Sequence, residues 1–202
     1  MPKIVNAEVR RQEVVEAVWR IIAVDGLERA SLREVADEAG LAVGSVRHYF
    51  AGSEELLTYS FARVIDSIVA RLERALPALQ QHPPASPAHR EAVLTLLSEL
   101  LPLDEQRAVE ACVWMAFRNA ARIREFLAPE ADRSHREVAA LMGRVVTTLV
   151  AAGASEDTLV VEAERLLATL DGLCLHAMLQ PGWMTAAMCL DVMERHLDGL
   201  EG

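Results

Sequence analysis

The chain has 202 residues, 52% hydrophobic and 25% charged, which is enough for a packed core and too apolar for global disorder. Its formal net charge of −10 excludes a protein that binds nucleic acid through overall basicity, so any DNA-facing surface must be local. Residues 1–50 hold seven Lys/Arg against eight Asp/Glu, net −1, and residues 51–202 hold thirteen against twenty-two, net −9.

Apolar residues recur at three- and four-residue spacing almost throughout, and no segment alternates as a strand would, so the chain reads as all-α with about nine helices. The opening residues carry Lys3, Arg10 and Arg11 and no apolar run, which reads as no secretory signal. The first helix is expected from near Ala7 to Val24, with Val14, Val18, Ile21 and Ile22 on one face and Asp25-Gly26 as its stop. Ser31-Leu32-Arg33-Glu34 has the form of a capping box and opens a short helix to Ala39. Gly40 follows, then a second short helix from Val43 to Tyr49. Ser53 is the N-cap candidate of a long fourth helix towards Leu76, with Glu54 and Glu55 in its first turn. The run Pro77 to Pro87 is the clearest break. Beyond it, helices are expected from Ser86-Pro87 to Leu101, from Asp104, from Pro129 to Ala152, from Glu156 to Leu179 and from Thr185 to Leu200.

Ala36, Gly40 and Val46 together meet the needs of a helix-turn-helix. A small residue is required where two helices cross, a residue tolerant of positive φ in the turn, and an apolar residue pinning the second helix. In that arrangement Val43–Tyr49 enters the major groove. Two short helices around a Gly also occur in bundles that bind no DNA.

The segment Gly44-Ser45-Val46-Arg47-His48-Tyr49-Phe50, followed by Ser53-Glu54-Glu55-Leu56-Leu57, resembles the signature of the tetracycline-repressor (TetR) family. At motif level the resemblance covers about residues 10 to 60. It implies that Gly44 permits close approach of the DNA backbone, that Ser45, His48 and Tyr49 contact phosphates or bases, and that Phe50 anchors the recognition helix. The chain departs from the family pattern at Ala42, Val43 and Ser53, where a hydroxyl, a polar or basic residue and a lysine are common. Arg47 stands where an aromatic is common and is suited to guanine, since its fork matches O6 and N7. Ser31 and Arg33 are phosphate candidates, with a solvated surface arginine as the alternative for Arg33.

No nucleotide-binding, hydrolase or zinc-protease motif occurs, and no Glu-x-x-His pair offers a di-iron site. No catalytic residue, metal or cofactor is therefore expected. Cys112, Cys174 and Cys189 are scattered and odd in number, which fits reduced thiols in the cytoplasm. The stretch Val138 to Ala154 is interrupted by Arg144 and too short for a membrane span.

The expected organisation is a DNA-binding domain over residues 1–52 and a ligand-binding and dimerisation domain over residues 53–202. Trp114, Phe117 and Arg118 resemble the lining of an apolar pocket with one charged anchor, joined by Met142, Cys174, His176 and Met178. Ordinary core suits each of them as well. Leu166, Leu170, Leu173, Ala177, Met188 and Leu197 form a candidate homodimer seam, and the alternative is packing inside one protomer. The resemblance implies a repressor that binds double-stranded palindromic operator DNA as a homodimer and is released by a small-molecule effector. A helical adaptor or ligand carrier that does not bind DNA is the second reading, favoured by the charge of −10.

Overall fold

The computed structural model describes residues 7–150 and 153–200. Among these the chain forms nine α-helices and no strand: α1 (Ala7–Asp25), α2 (Leu32–Glu38), α3 (Val43–Tyr49), α4 (Ser53–Ala75), α5 (Pro87–Ser98), α6 (Glu105–Ala121), α7 (Ala128–Val146), α8 (Glu156–Leu179) and α9 (Ala186–Asp198). Short 3-10 turns lie at Leu27–Arg29, Leu76–Gln81 and Glu125–Leu127. No described helix is long and apolar enough to cross a membrane.

Local chemistry sets most boundaries. Gly26 takes φ +85° and its N–H returns to the Ile22 carbonyl, ending α1. Ser86, Ser155 and Thr185 each cap a helix by accepting from the backbone N–H three residues on. Asp104 does the same for α6 through the Arg107 N–H at 2.8 Å, and this hydrogen bond holds its carboxyl below the usual range.

Three expected features differ. Ser53 is already inside α4, whose Gly52 carbonyl accepts from Leu56, while Glu55 reaches back to the Ala51 N–H at 2.7 Å. Only half of the capping box at Ser31 forms: Oγ accepts from the Glu34 N–H at 3.2 Å, but the Ser31 N–H is already taken by the Arg29 carbonyl. Glu34 turns instead to the Arg29 guanidinium at 3.4 Å. The seventh helix ends at Val146 rather than continuing, because the Thr147 and Thr148 hydroxyls bond back to the Gly143 and Val145 carbonyls and favour a turn. Ala152, its expected end, lies outside the described residues.

The chain divides into two compact units. The first takes Met1–Asp66 with Cys112–Asp132, over its described residues. Here α1, α2 and α3 pack on one another around Val14, Val18, Ile22, Val35, Ala36 and Val46. Phe61 stacks on Phe117 with centroids 4.9 Å apart and planes 12° apart, and the Trp19 indole donates to the Ser60 carbonyl at 3.1 Å.

The second unit takes Ser67–Ala111 with Arg133–Gly202. Within it α5 and α8 both pack on α9. Buried Glu110 pairs with Arg71 at 2.6 Å and accepts from the Ser67 hydroxyl, so its charge is neutralised where water is absent.

His196 on α9 lies 3.3 Å from the Thr169 hydroxyl of α8. Partial burial and then the nearby Arg165 guanidinium lower its pKa, and Glu162 opposes them. The folded state therefore holds a neutral imidazole. Its contribution to stability is present above the unfolded value near 6.5 and is lost as pH falls below it. Denaturant midpoints should drop from pH 7.5 to pH 5.5, and His196→Gln should shrink that drop. An identical pH dependence in the variant would remove His196 as its source.

Candidate nucleic-acid interface

Seven residues of α3 are too few to hold a helix in water, so α3 depends on what it packs against. Val46 and Phe50 supply the attachment, being 0% and 1% exposed. The chain reaches α3 through Gly40, at φ +65°, while the Leu41 N–H bonds back to the Ala36 carbonyl at 2.9 Å. Ala36 is fully enclosed at the crossing, where a larger side chain would part α2 from its neighbours.

With Val46 turned inward, Gly44, Ser45, Arg47 and His48 are all exposed on the remaining arc of α3, and Tyr49 is half-buried. The His48 and Tyr49 rings meet edge to face, 5.1 Å apart at 74°. Ser31 and Arg33 are exposed at the start of α2. The seven residues expected to face DNA are thus drawn from two short helices of one unit.

Gly44 is exposed near the start of α3. Its φ is ordinary, and a Cβ built there would meet no described atom within 4 Å. Gly44 lies in the first turn of α3, where a methyl group would enter open space.

Of the six arginines of residues 1–50, three are in ion pairs. Arg10 pairs with Glu13, Arg20 with Glu38 at 2.7 Å and Arg29 with Glu34. Arg33 and Arg47 are in no ion pair among the described residues. A separate groove of about 320 Å³ is lined by Ile21, Asp25, Arg29, Glu34, Asp37 and Glu38, four carboxylates against one arginine, and would repel phosphate.

The other expected sites fare unevenly. Trp114 and Phe117 are buried in the first unit, with the Arg118 guanidinium 5.1 Å from the Trp114 ring centre. Trp114 Nε1 and Ser60 Oγ are buried there without a hydrogen-bond partner. Met142, Cys174, His176 and Met178 belong to the second unit. Met142 is fully buried, His176 is exposed and Met178 is half-buried. Cys174 donates to the Leu100 carbonyl at 3.1 Å, and burial, with smaller contributions from Asp171 and Cys189, pushes its thiol up to about 12.

Of the six seam candidates, Leu166, Leu170, Leu173 and Leu197 are buried within their own chain, so they have no surface to offer a second one. Ala177 is half-buried, and Met188 is exposed. Sequence reading passed over the opposite face of α8. There Val161, Ala168, Leu175 and Leu179 are exposed, beside half-buried Gly172 and followed by Trp183, which is 75% exposed. The seven-residue spacing of 161, 168 and 175 was the available signal.

The Ser31 cap carries a local prediction. Ser31→Ala should lower stability by about 1 kcal/mol, because one α2 N–H loses its acceptor. Glu34→Ala should lower it less, since that carboxylate caps nothing. Equal losses in denaturant titrations would show that the reciprocal half of the box forms after all.

Residues 14–59 match the family described as bacterial regulatory proteins, tetR family, and residues 87–201 match the BetI-type transcriptional repressor C-terminal family. The transcriptional regulator PksA of Bacillus subtilis (strain 168) is 35% identical over 205 residues, covering 99% of this chain and 94% of that protein. A transcriptional regulator from Rhodococcus sp. Rha1 superposes with a TM-score of 0.80 at 28% identity, covering 94% and 95% of the two chains. The multidrug binding protein EbrR complexed with ethidium gives 0.64 at 27% identity, covering 93% and 98%. The chain itself belongs to the TetR family of helix-turn-helix transcriptional regulators.

Proposed function

We propose that the protein is a repressor that binds a palindromic operator as a homodimer and is released by a small molecule. Residues 1–52 serve as the DNA-reading segment, and residues 53–202 bind ligand and dimerise. The observation that carries the DNA reading is the exposed arc of α3. Gly44 leaves the backbone there uncovered, and Arg47, like Arg33 on α2, is in no ion pair among the described residues while Arg10, Arg20 and Arg29 are neutralised. In this reading Arg47 pairs with guanine, Arg33 and Ser31 meet phosphate, and Ser45, His48 and Tyr49 complete the contact.

For the effector we propose an apolar molecule met by Trp114 and Phe117, with the unpartnered Trp114 N–H as hydrogen-bond donor. The ethidium complex of EbrR supports a ligand of aromatic character. Such a ligand acts only if it binds the DNA-competent and released states unequally, here by shifting α4.

Gel shifts on the upstream intergenic DNA over a salt series test the DNA reading, and ethidium fluorescence titrated with the DNA-free protein, wild type against Trp114→Leu, tests the effector site. Arg47→Ala should lose roughly 1–3 kcal/mol of discrimination at one base position with the salt slope unchanged. Arg33→Ala should weaken all sequences alike and reduce the slope by about 2 per dimer. If the wild type fails to bind even at low salt, the repressor reading falls. If ethidium binds wild type and Trp114→Leu alike, or binds neither, the effector half falls alone.

For the dimer we propose the exposed face of α8, with Trp183 and Met188. Its central Ala168 and Gly172 permit close helix approach, flanked by Val161, Leu175 and Leu179. Two recognition helices must sit about 34 Å apart to read adjacent half-sites, which requires a second copy. The double variant Leu175→Arg/Leu179→Arg should sediment as a monomer and lose operator binding. A persistent dimer would move the interface elsewhere.

A further inference from the structure

Among the six arginines of residues 1–50, Arg11 stands apart. It has no ion pair among the described residues, yet it is half-buried rather than presented to solvent, and its Nε has no hydrogen-bond partner. Its guanidinium carbon lies 4.3 Å from the Tyr59 ring centre and 5.0 Å from that of Phe50. The two rings are 5.4 Å apart and tilted by 56°. One cation from α1 therefore covers two aromatic faces, one on α4 and one at the C-terminal end of α3. Arginine suits the position because its planar guanidinium is always charged, weakly hydrated and stacks on rings.

The far side of the cluster is also held. The Tyr59 hydroxyl donates to Glu8 Oε1 at 3.2 Å, tying α4 back to α1. Burial and then this hydrogen bond raise the Tyr59 pKa, so the phenol stays protonated and keeps donating. Phe50 closes α3 with its N–H on the Val46 carbonyl at 3.0 Å, and its ring is enclosed. A helix of seven residues frays from its ends unless something fixes them. Phe50 follows Arg47, His48 and Tyr49 directly, so whatever fixes its ring fixes the last turn that carries them.

We propose that Arg11 is a positioning residue for DNA recognition: it clamps Phe50 against Tyr59 and thereby holds the last turn of α3, without itself touching phosphate. The inference rests on the DNA-binding reading above, but half of its test does not. Amide hydrogen exchange over Val43–Phe50 is measured on the DNA-free full-length protein, and operator affinity is measured over a salt series.

Arg11→Met should speed exchange at Arg47–Phe50 severalfold relative to α1 amides and weaken operator binding on the order of tenfold. The slope of affinity against salt should stay unchanged, and Arg11→Lys should recover most of both losses. Tyr59→Leu keeps the Arg11 charge and removes a ring beneath it, so it should reproduce the Arg11→Met exchange pattern even if Arg11→Met itself does not fold. A slope reduced by about 2 per dimer would make Arg11 a phosphate ligand and overturn the proposal. Unchanged exchange in α3 in either variant overturns it as well. Failure of the wild type to bind operator sinks the DNA reading, while the exchange arm still decides whether Arg11 holds α3.

Discussion

A two-turn helix has no stability of its own, and the DNA-facing surface proposed for this protein is built on one. Helix nucleation spends several fixed dihedrals for the first hydrogen bond, and α3 ends before propagation can offset that. Its persistence depends on burying Val46 at its centre and Phe50 at its end. Ala36 keeps the crossing narrow enough for Val46 to reach its site, and Gly40 allows the chain to reverse there. Because those inward positions are taken, the remaining α3 residues are presented outward together. The same packing that makes the helix possible selects which side chains face a partner.

The second constraint is electrostatic. A chain of net charge −10 approaches a polyanion only if its few useful cations are not already neutralised. Glu13, Glu34 and Glu38 each occupy an arginine of the first unit, and Arg11 is committed to two rings. Arg33 and Arg47 escape both fates. The acidic groove around Asp25, Asp37 and Glu38 adds a face that phosphate would avoid.

The second unit answers a different problem. Its α8 is apolar on two faces, one enclosing Leu166, Leu170 and Leu173 within the chain and one leaving Val161, Leu175 and Leu179 in water. Periodicity registers both faces as apolar and carries no information about which neighbour covers which. Four of the six seam candidates read from that periodicity, Leu166, Leu170, Leu173 and Leu197, are covered by their own chain. Cys174 shows the same ambiguity: an apolar environment that read as a pocket wall holds a thiol already bonded to the Leu100 carbonyl.

The sequence alone determined the all-α class, the stop at Gly26, the caps at Ser31 and Ser86, and the span of α3, because these rest on interactions within a few residues. It also placed Ala36, Gly40 and Val46 in their roles, since a fixed spacing in a compact motif acts almost as local information. Tertiary structure decided the rest. Which arginines stay free, which face of α8 is left open, where Glu34 turns, and what the Arg11 guanidinium covers all depend on side chains from elements far apart in sequence. No local pattern records those meetings, because distance in space is set by packing and not by spacing along the chain.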